Sequence, residues 1–475
     1  MPHVTRREFL GTVAAPLAAG REKPAAGRPN IVFILADDLG YGDLGCYGQQ
    51  QIRTPSLDRM AAEGTRFTDA YSGCTVCAPC RSVLMTGLHM GHTPIRSNPG
   101  GVPILPGETT VADVLKKAGY ATGMFGKWGL GDIGTEGVPW KHGFDEFFGY
   151  LHQVHAHWYY PRYLFHNDRQ EMLPGNENGG HGTYSHDAIA GKALDFIRRN
   201  KGNPFFCYVP FTIPHWELLV PEDSLAEYRG KFPEDDKLND PRGHYGFQKY
   251  PHAAYAAMIT RMDRDVGRIV SLVKELGLER DTLFVFTSDN GGASRIRNDD
   301  FFKSFGPFRG FKQNLYEGGI RVPFIARWPG RIKPGALTHQ PWMHVDFMAT
   351  AAELAGAPAP KNTDGYSILP TLFGDNRRQK QHEFLYWELP RYNAKDGTFF
   401  KETPMQGVRY GNWKAVRPKP NAPLELYNLK DDIGETRDVA SANPKVLARI
   451  EEYLKTARVE PRPQTEPPHD YRPGA

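Results

Sequence analysis

The sequence predicts an α/β fold: a large mixed, mostly parallel sheet flanked by helices on both faces, plus a small C-terminal α+β domain with a short antiparallel sheet and one helix. Buried strands alternate with helical patterns through most of the chain, which is typical of a parallel sheet. After about residue 375, short strand-like pieces precede a single helix. The predicted boundaries are 28–375 for the large domain, 376–460 for the small domain and 461–475 for a Pro-rich tail.

The elements of the large domain follow in order from local patterns. The continuous apolar run Asn30–Ala36 predicts a strand buried on both faces. A helical pattern over 110–117 leads through Gly119 into a second strand over 120–125. The remaining predicted elements are a helix over 187–199, a strand over 205–211, a helix from Met258 to Leu276 and a strand over 282–287.

Three further segments complete the predicted organisation. Residues 222–250 are charged and interrupted by Gly and Pro, which indicates a long surface loop. The Pro-rich tail is expected to run over the surface. The small domain is predicted to contain strands over 405–409, 413–417 and 424–429 and a helix over 444–456.

Composition and charge exclude several classes of protein. Of the 475 residues, 40% are hydrophobic, which excludes an intrinsically disordered or collagen-like chain. Lys and Arg number 58 against 54 Asp and Glu, without charge blocks, so we expect no nucleic-acid partner. The 50 Gly and 39 Pro residues predict many loops rather than a helical bundle.

The N-terminal segment 1–27 reads as an export signal and a linker. Arg6 and Arg7 precede Phe9 and an Ala-rich apolar run that ends at Ala19. That run is too short to cross a bilayer, so no transmembrane segment is predicted, and the paired arginines are typical of a bacterial twin-arginine signal. This interpretation implies the twin-arginine export machinery as a partner and a periplasmic or extracellular location. A frayed basic N-terminus is the alternative.

Polar side chains follow three of the predicted strands. Asp37 and Asp38 follow the first strand, Lys127 follows the second, and Asp289 and Asn290 follow the strand over 282–287. The carboxyl ends of parallel strands share one edge of the sheet, where ligands bind in open α/β folds. Carboxylate and amide oxygens suit Ca²⁺ or Mg²⁺ rather than zinc. Each motif taken alone is also a common turn, which is the alternative interpretation.

Three of the five cysteines cluster at Cys74, Cys77 and Cys80. Pro79 suits the first turn of a helix and Gly87 suits its end, so Cys77 is expected at a helix N-terminus, where an anion is favoured. The alternatives are a buried or disulfide-bonded cysteine, or an iron–sulfur site. An iron–sulfur site usually needs a fourth cysteine nearby, and none follows in the sequence.

The pattern Cys77-x-Pro79-x-Arg81, followed by Leu-Met-Thr-Gly at 84–87, resembles the signature of the type I sulfatases of the alkaline phosphatase superfamily. The resemblance extends from about residue 28 to residue 457. The other matching segments, in order, are 36–40, 45–48, 126–128, 214–215, 287–291, Lys312, 317–323 and 426–429.

The resemblance implies a mechanism and a role for each matched residue. Cys77 is oxidised to formylglycine by a maturation enzyme and hydrated to a gem-diol, one hydroxyl of which attacks the sulfur while the second later expels sulfate. His215 protonates the leaving alcohol. The implied ligands of Ca²⁺, with Mg²⁺ as the alternative ion, are Asp37, Asp38, Cys77, Asp289 and Asn290. The implied sulfate-binding cations are Arg81, Lys127 and Lys312.

The sequence departs from the sulfatase pattern at two positions. Gly129 stands where the run after Lys-Trp usually has the histidine that assists sulfate release, and Cys80 stands where serine is common. We expect oxidation of Cys77 to proceed, because the Cys, Pro and Arg of its motif are intact. One hypothesis is that His155 or His157 replaces the missing base. The alternatives are slow turnover, or a non-catalytic protein that binds sulfated glycans.

Aromatic and polar side chains after the lysine strand predict the substrate class. His155, His157, Trp158 and Tyr160 lie in one short stretch and are predicted to contact the substrate. Apolar faces with polar edges suit a sugar, so a sulfated saccharide is preferred to a small aryl sulfate. The alternative within the superfamily is hydrolysis of a phosphate or phosphonate ester.

Overall fold

The structure is a computed structural model that describes residues 27–240, 242–293 and 301–471. The predicted export signal and nearly all of its linker lie outside the described residues. The strands are β1 Asn30–Ala36, β2 Thr65–Phe67, β3 Ala70–Tyr71, β4 Ala121–Lys127, β5 Glu146–Tyr150, β6 Tyr163–His166, β7 Arg169–Met172, β8 Phe205–Pro210, β9 Thr282–Ser288, β10 Phe324–Arg327, β11 Ala336–Thr338, β12 Trp342–Met343, β13 Phe384–Leu389, β14 Met405–Tyr410, β15 Trp413–Arg417 and β16 Glu425–Asn428.

In the described part of the chain, ten strands form the large sheet in the order β11-β2-β10-β9-β1-β8-β4-β5-β6-β7. The five central strands, β9 to β5 in that order, are all parallel to one another. Antiparallel pairs occur towards both edges, where β10, β6 and β7 lie. The predicted mixed, mostly parallel sheet is therefore confirmed.

Helices cover both faces of the large sheet, as predicted. The central strand β1 explains why: Val32 and Ile34 point into one apolar cluster, while Phe33 and Leu35 point into another on the opposite face. The helices contributing to the first cluster include Pro55–Ala62, Ser185–Arg199, Glu222–Tyr228 and Pro251–Glu275. Those contributing to the second include Cys77–Thr86, Val111–Lys117, Asp346–Ala355 and Leu369–Leu372.

The segment 222–250 was expected to be a surface loop, and this prediction is wrong for its first part. The segment forms the α-helix Glu222–Tyr228, which packs on Pro251–Glu275, and a short 3₁₀ helix at Asp236–Leu238. Pro221 precedes the helix and acidic residues occupy its first turn, where the helix dipole favours them. The many charged residues at the start of this segment therefore indicate a helix with a solvent-exposed face.

The small C-terminal sheet has the order β13-β14-β15-β16 and is antiparallel throughout. The predicted C-terminal helix is present as Pro444–Leu454. A third apolar cluster joins this sheet to the large domain, because Tyr386 and Trp387 of β13 share it with Cys80 and Val83 of the Cys77–Thr86 helix. The helix that begins at Cys77 is thus held between the two sheets.

Buried charges also cross this junction. The Lys414 ammonium is fully buried and donates to Glu317 Oε1 at 3.0 Å, Glu435 Oε1 at 3.4 Å and the Leu315 carbonyl at 2.8 Å. Burial opposes ionisation of Glu317, but Lys414 and Arg321 lower its pKa to about 2. Lys414 therefore compensates carboxylates that have no access to water.

Replacing Lys414 by methionine is expected to lower the free energy of unfolding by about 3–5 kcal/mol, because it leaves buried carboxylates without their cation. Chemical denaturation measures the loss. Lys430→Met is the matched control, since Lys430 is exposed on the same domain and its loss should cost less than about 0.5 kcal/mol. Equal effects of the two substitutions would contradict the prediction.

The described part of the tail, residues 461–471, runs over the surface as expected, but it is anchored there. The Gln464 side chain is buried, and its amide donates to the Pro94 carbonyl at 3.0 Å. Glu466 Oε2 lies 3.2 Å from Nε2 of the buried His152. The Tyr471 ring stacks on His155, with ring centroids 4.9 Å apart and planes at 7°. The tail is thus anchored to the loop that follows β5.

Candidate active site

The polar residues after β1 and β9 lie together at the carboxyl edge of the sheet. The two strands are parallel neighbours in register, with Ala36 opposite Ser288, so their continuations leave the sheet side by side. The Asp38 amide donates to Asp289 Oδ1 at 3.1 Å, and Asn290 Nδ2 donates to Asp38 Oδ1 at 2.7 Å. These contacts bring the four predicted oxygen ligands, Asp37, Asp38, Asp289 and Asn290, into one buried group.

Cys77 is the first residue of the helix Cys77–Thr86, as the Pro79 and Gly87 pattern predicts. Val76 precedes it in an extended conformation, and Gly87 ends the helix with a left-handed φ of 68°. The Cys77 sulfur lies 3.4 Å from Asp37 Oδ1. Burial, with the nearby charge of Asp37, raises the pKa of this thiol. An unmodified Cys77 is therefore a neutral thiol rather than a reactive thiolate.

The five cysteines are all free. Cys74 and Cys80 belong to the apolar cluster that joins the two sheets, where Cys80 Sγ lies 3.1 Å from His344 Nδ1 and Cys74 Sγ lies 3.8 Å from the Glu388 carbonyl. The Cys77 sulfur instead contacts Asp37 and Lys312 at the carboxyl edge of the large sheet. The alternatives of a disulfide or an iron–sulfur cluster at Cys77 are not supported.

Three cations face the three carboxylates; Arg81 and Lys127 are buried, and the Lys312 side chain is 15% exposed. Lys127 Nζ lies 2.6 Å from Asp37 Oδ2, and Arg81 Nη2 lies 2.8 Å from Asp289 Oδ2. Lys312 Nζ lies 2.7 Å from Asp38 Oδ1 and 3.5 Å from the Cys77 sulfur. Each carboxylate is therefore paired with a cation, and Lys312 joins this group to residue 77.

The carboxylates have divergent pKa values because they share one buried site. Burial disfavours the charge on Asp37, but the cations Lys127, Arg81 and Lys312 hold the pKa of Asp37 well below its usual range. Burial and the charge of Asp37 raise the pKa of Asp289 to about 7. A divalent cation between these groups would favour ionisation of both carboxylates.

The donor set fits a hard divalent cation. Ligand atoms of Asp37, Asp38, Cys77 and His215 all lie within 4.8 Å of one another. The Oδ1 atom of Asn290 is buried and has no hydrogen-bond partner among the described residues, although buried polar atoms are nearly always satisfied. An oxygen-ligated cation such as Ca²⁺ or Mg²⁺ would satisfy this acceptor.

His215 and His157 form one wall of the site. The two rings stack with centroids 5.0 Å apart and planes at 12°, and His215 Nε2 lies 3.6 Å from Asp38 Oδ2. Burial and the positive charge of Lys312 lower the pKa of His215, so the ring is neutral in the substrate-free site. His157 Nδ1 in turn lies 2.8 Å from His244 Nε2. Of the two histidines proposed to replace a missing base, His157 is therefore the one at the site.

The prediction that His155 reaches the site is not supported by its position. His155 is buried among aromatic rings, including Tyr150 at 5.0 Å and Tyr163 at 4.9 Å between ring centroids, as well as Tyr471 of the tail. Neither ring nitrogen has a hydrogen-bond partner in the described part of the chain. His155 packs against Tyr471 of the tail, whereas His157 packs against His215 at the carboxyl edge of the sheet.

A cleft next to this wall contains the two predicted aromatic contacts. Trp158 and Tyr160 line a cavity of about 210 Å³ together with Glu217 and Tyr245. The centroids of the Tyr245 and His215 rings lie 5.9 Å apart, so the cleft adjoins the polar residues at the carboxyl edge of the sheet. Burial raises the pKa of Glu217 to about 8.

Several residues of this region escaped the sequence prediction. His244 and Tyr245 lie in the segment interpreted as a surface loop, and their aromatic character within a charged stretch was the available signal. Gln153 and Asn98, which lie beside Gly129 and the start of the Cys77 helix, carry no motif. Their importance depends on contacts between distant parts of the chain.

Comparison with known proteins identifies the family. The sulfatase family model matches residues 29–357, and the model of the N-sulphoglucosamine sulphohydrolase C-terminal region matches residues 306–460. Human arylsulfatase A is 34% identical, covering 94% of this chain and 90% of the relative. Rat N-acetylgalactosamine-6-sulfatase is 35% identical, covering 75% of this chain and 67% of the relative.

Solved structures agree with the sequence comparison. The structure titled Ps i-CgsB in complex with k-i-k-neocarrahexaose has a TM-score of 0.74 and 27% identity, and the match covers 91% of this chain and 94% of that one. Among the described residues, no helix has both the length and the apolar character that a membrane span requires. The family model covers well over half of the chain, and the chain therefore belongs to the type I sulfatase family of the alkaline phosphatase superfamily and is a sulfuric ester hydrolase.

Proposed function

We propose that the protein hydrolyses a sulfate ester on a sulfated saccharide, using formylglycine made from Cys77 and a bound divalent cation. The observation that carries the proposal is the position of Cys77, at a helix N-terminus between Asp37 and the ammonium group of Lys312. A plain thiol with a raised pKa is a poor nucleophile there. The oxidised, hydrated side chain would supply the hydroxyl nucleophile instead.

The surrounding charges suit a sulfate group. Arg81, Lys127 and Lys312 would bind the sulfate oxygens and offset the negative charge that grows during attack on sulfur. Their ion pairs with Asp37, Asp38 and Asp289 hold them in place before substrate binds. Ca²⁺, with Mg²⁺ as the alternative, would be held by Asp37, Asp38, Asp289, Asn290 and residue 77. Its chemistry there is to lower the pKa of a bound hydroxyl.

His215 is the proposed general acid for the leaving alcohol. Its ring is buried at the site, and Nδ1 has no partner among the described residues. An incoming sulfate would counter the repulsion from Lys312 and so favour the protonated imidazolium. Nε2 would then donate its proton to the ester oxygen as the bond to sulfur breaks.

The cleft lined by Trp158 and Tyr160 supports a saccharide as the alcohol part of the substrate. Aromatic faces beside polar groups suit the two faces and the hydroxyl edges of a sugar. His157 would contact the sugar where the cleft meets the catalytic edge. One relative is named N-acetylgalactosamine-6-sulfatase, and one similar solved structure is titled as a complex with k-i-k-neocarrahexaose.

Export and maturation form part of the same proposal. The paired arginines at residues 6 and 7 suggest export of the folded protein to the periplasm or the medium by the twin-arginine machinery. The formylglycine-generating enzyme would act earlier, on the unfolded segment around Cys77. A cell without that enzyme should therefore export a folded but inactive protein.

Replacing His215 by alanine tests two parts of the proposal: that His215 is the general acid, and that the substrate is a sulfated sugar rather than an aryl sulfate. With a sulfated sugar, whose leaving alcohol needs a proton, we expect kcat to fall by about 10²–10⁴-fold. With an aryl sulfate, whose phenolate leaves without a proton, we expect a loss below about tenfold. Sulfate release from both substrates is measured for the wild type and the variant at the same pH.

A panel of substrates supplies the control for this experiment. Defined sulfated mono- and oligosaccharides are compared with aryl sulfate, phosphate monoesters and phosphonate monoesters. Preferential hydrolysis of the phosphorus esters would favour the alternative hydrolase. Binding of sulfated sugars without sulfate release would favour the glycan-binding alternative suggested by Gly129. Equal losses on sugar and aryl sulfates would contradict the role of His215 as the acid.

A further inference from the structure

The side chain of Gln153 fills the space beside Gly129. Gly129 has a left-handed φ of 78°, and a Cβ atom placed on it would lie 3.0 Å from Cγ and 3.4 Å from Cδ of Gln153. The same Cβ would lie 3.8 Å from Cδ of Arg81, one of the predicted sulfate-binding cations. Gln153 is 4% exposed. A buried amide therefore occupies the position into which a side chain at residue 129 would project.

Gln153 is also connected to the residue that follows Cys77. Gln153 Nε2 donates to Asn98 Oδ1 at 2.9 Å, and the same Asn98 oxygen accepts the backbone N–H of Ala78 at 2.9 Å. The first N–H groups of a helix have no partner within the helix. Asn98 supplies that partner at the start of the Cys77 helix, and Gln153 orients the Asn98 side chain.

The loop that carries Gln153 is held on its other side by the tail. His152 Nδ1 accepts the N–H of Val154 at 3.0 Å, so its proton lies on Nε2, which donates to Glu466. Glu466 also accepts the N–H of Gly101 at 2.9 Å. With Nε2 protonated, His152 has no free lone pair there for a metal. The group of His152, Glu466 and His469 is therefore a clamp on the loop rather than a metal site.

We infer that Gln153 is a positioning residue for the catalytic residue 77, acting through Asn98 and by filling the space beside Gly129. The inference rests on the proposed function for its kinetic consequence, but not for its structural one. Gln153 orients Asn98, which fixes the helix N-terminus from which residue 77 projects.

The first test compares Gln153→Ala with Asn98→Ala. Displacing a reacting group by about 1 Å can cost about 100-fold in rate, so we expect kcat to fall by about 10–100-fold in each variant while KM changes less than about threefold. The double variant should lose no more than about three times what either single variant loses, because both residues act through one chain of contacts. Multiplicative losses in the double variant would overturn the inference.

The second test changes which side chain fills the space beside residue 129, where Gln153 now lies. Histidine is the residue to introduce at 129, because the sulfatase pattern has it there. Gly129→His alone should lose at least about 100-fold in kcat, since its side chain meets Gln153 and a residue with a Cβ is strained at the left-handed φ of this position. Adding Gln153→Ala should restore at least about tenfold of that loss, although Gln153→Ala alone is harmful. A double variant that is no better than Gly129→His would overturn the inference.

A readout that needs no turnover separates this inference from the proposed function. Deuterium uptake of a peptide that begins at least two residues before Ala78 should rise in Gln153→Ala and Asn98→Ala, because the Ala78 N–H loses its fixed acceptor. Gln379→Ala is the matched control: Gln379 is a buried, hydrogen-bonded glutamine near Ser367 and Thr371, and its loss should change neither kcat nor this uptake. Unchanged uptake in Gln153→Ala would overturn the inference. A wild type that releases no sulfate would contradict only the proposed function.

Discussion

Replacing Cys77 by alanine is expected to lower kcat for sulfate release by at least about 10⁴-fold, because the variant keeps the binding groups but has no nucleophile. Arg81, Lys127 and Lys312 remain, so the affinity for a sulfated ligand should change far less than the rate. Steady-state kinetics and ligand titration measure the two quantities separately. Full activity in this variant would remove residue 77 from the mechanism.

Cys77→Ser separates the attack on sulfur from the release of sulfate. A serine hydroxyl has no second hydroxyl on the same carbon, so the variant can accept one sulfo group but cannot expel it by elimination. Mass spectrometry of the peptide that contains residue 77 should show the retained sulfo group in the variant and formylglycine in the wild type. Cys46→Ala is the matched control, since Cys46 is half-buried and has its own contact, with Asp58, away from the site. An active wild type with an unmodified thiol at 77 would contradict the mechanism.

Removing divalent cations is expected to have the second largest effect. The carboxylates of the site and the Asn290 oxygen, which has no partner in the described part of the chain, form one buried donor group, and an oxygen-ligated cation bound there would activate the hydroxyl. Dialysis against a chelator should therefore lower kcat by at least about 10³-fold, a loss that Ca²⁺ restores. Binding should also stabilise the fold by about 2.7 kcal/mol at a cation concentration 100 times Kd. Thermal unfolding with and without the ion measures this second effect.

Asp289→Asn and Asp281→Asn form a matched pair for the cation site. Both aspartates flank β9, but Asp289 is buried at its carboxyl end and Asp281 is exposed at its start. Only Asp289→Asn should weaken the Ca²⁺-dependent rise in the unfolding temperature. If the chelated protein keeps its activity, or if both variants respond to Ca²⁺ like the wild type, the cation site is wrong. Stronger restoration by Mg²⁺ would select the alternative ion.

The fold was predictable because its strongest signals are local. Asn30–Ala36 and Thr282–Ser288 are continuous apolar runs, and each is followed directly by the polar residues of the site. Parallel pairing of the two strands then brings Asp37 and Asp289 together without further information. The position of Cys77 also follows from local signals, because Pro79 and Gly87 specify both ends of one short helix.

The choice between His155 and His157 could not be made from the sequence. The two residues belong to one 3₁₀ helix, His155–His157. Successive side chains of such a helix are about 120° apart, so residues two positions apart face different sides. One histidine therefore faces the tail and the other faces His215. The direction in which the loop leaves β5 decides which of the two histidines faces His215 and which faces the tail.

Gln153 and Asn98 could not be predicted for a different reason. They lie 55 positions apart in the chain, and neither belongs to a pattern with a known period. Gly129 was visible as a departure from the sulfatase pattern, but the sequence does not show what fills the space beside it. The contacts of Gln153 with Asn98 and beside Gly129 depend on how loops from distant parts of the chain pack together.

The anchored tail is translated long after Cys77, so the loop that holds Gln153 is fixed late in synthesis. Residues 464–471 emerge from the ribosome about 390 residues after Cys77, a delay of about 20–80 s at about 5–20 residues per second. Until then the loop that holds Gln153 lacks its clamp through Glu466 and His152. The strand layer that covers the Cys77 helix from the other side, β13 to β16, is also translated late. If Cys77 is modified as proposed, the segment around it would stay accessible to the modifying enzyme until residues 464–471 have been translated.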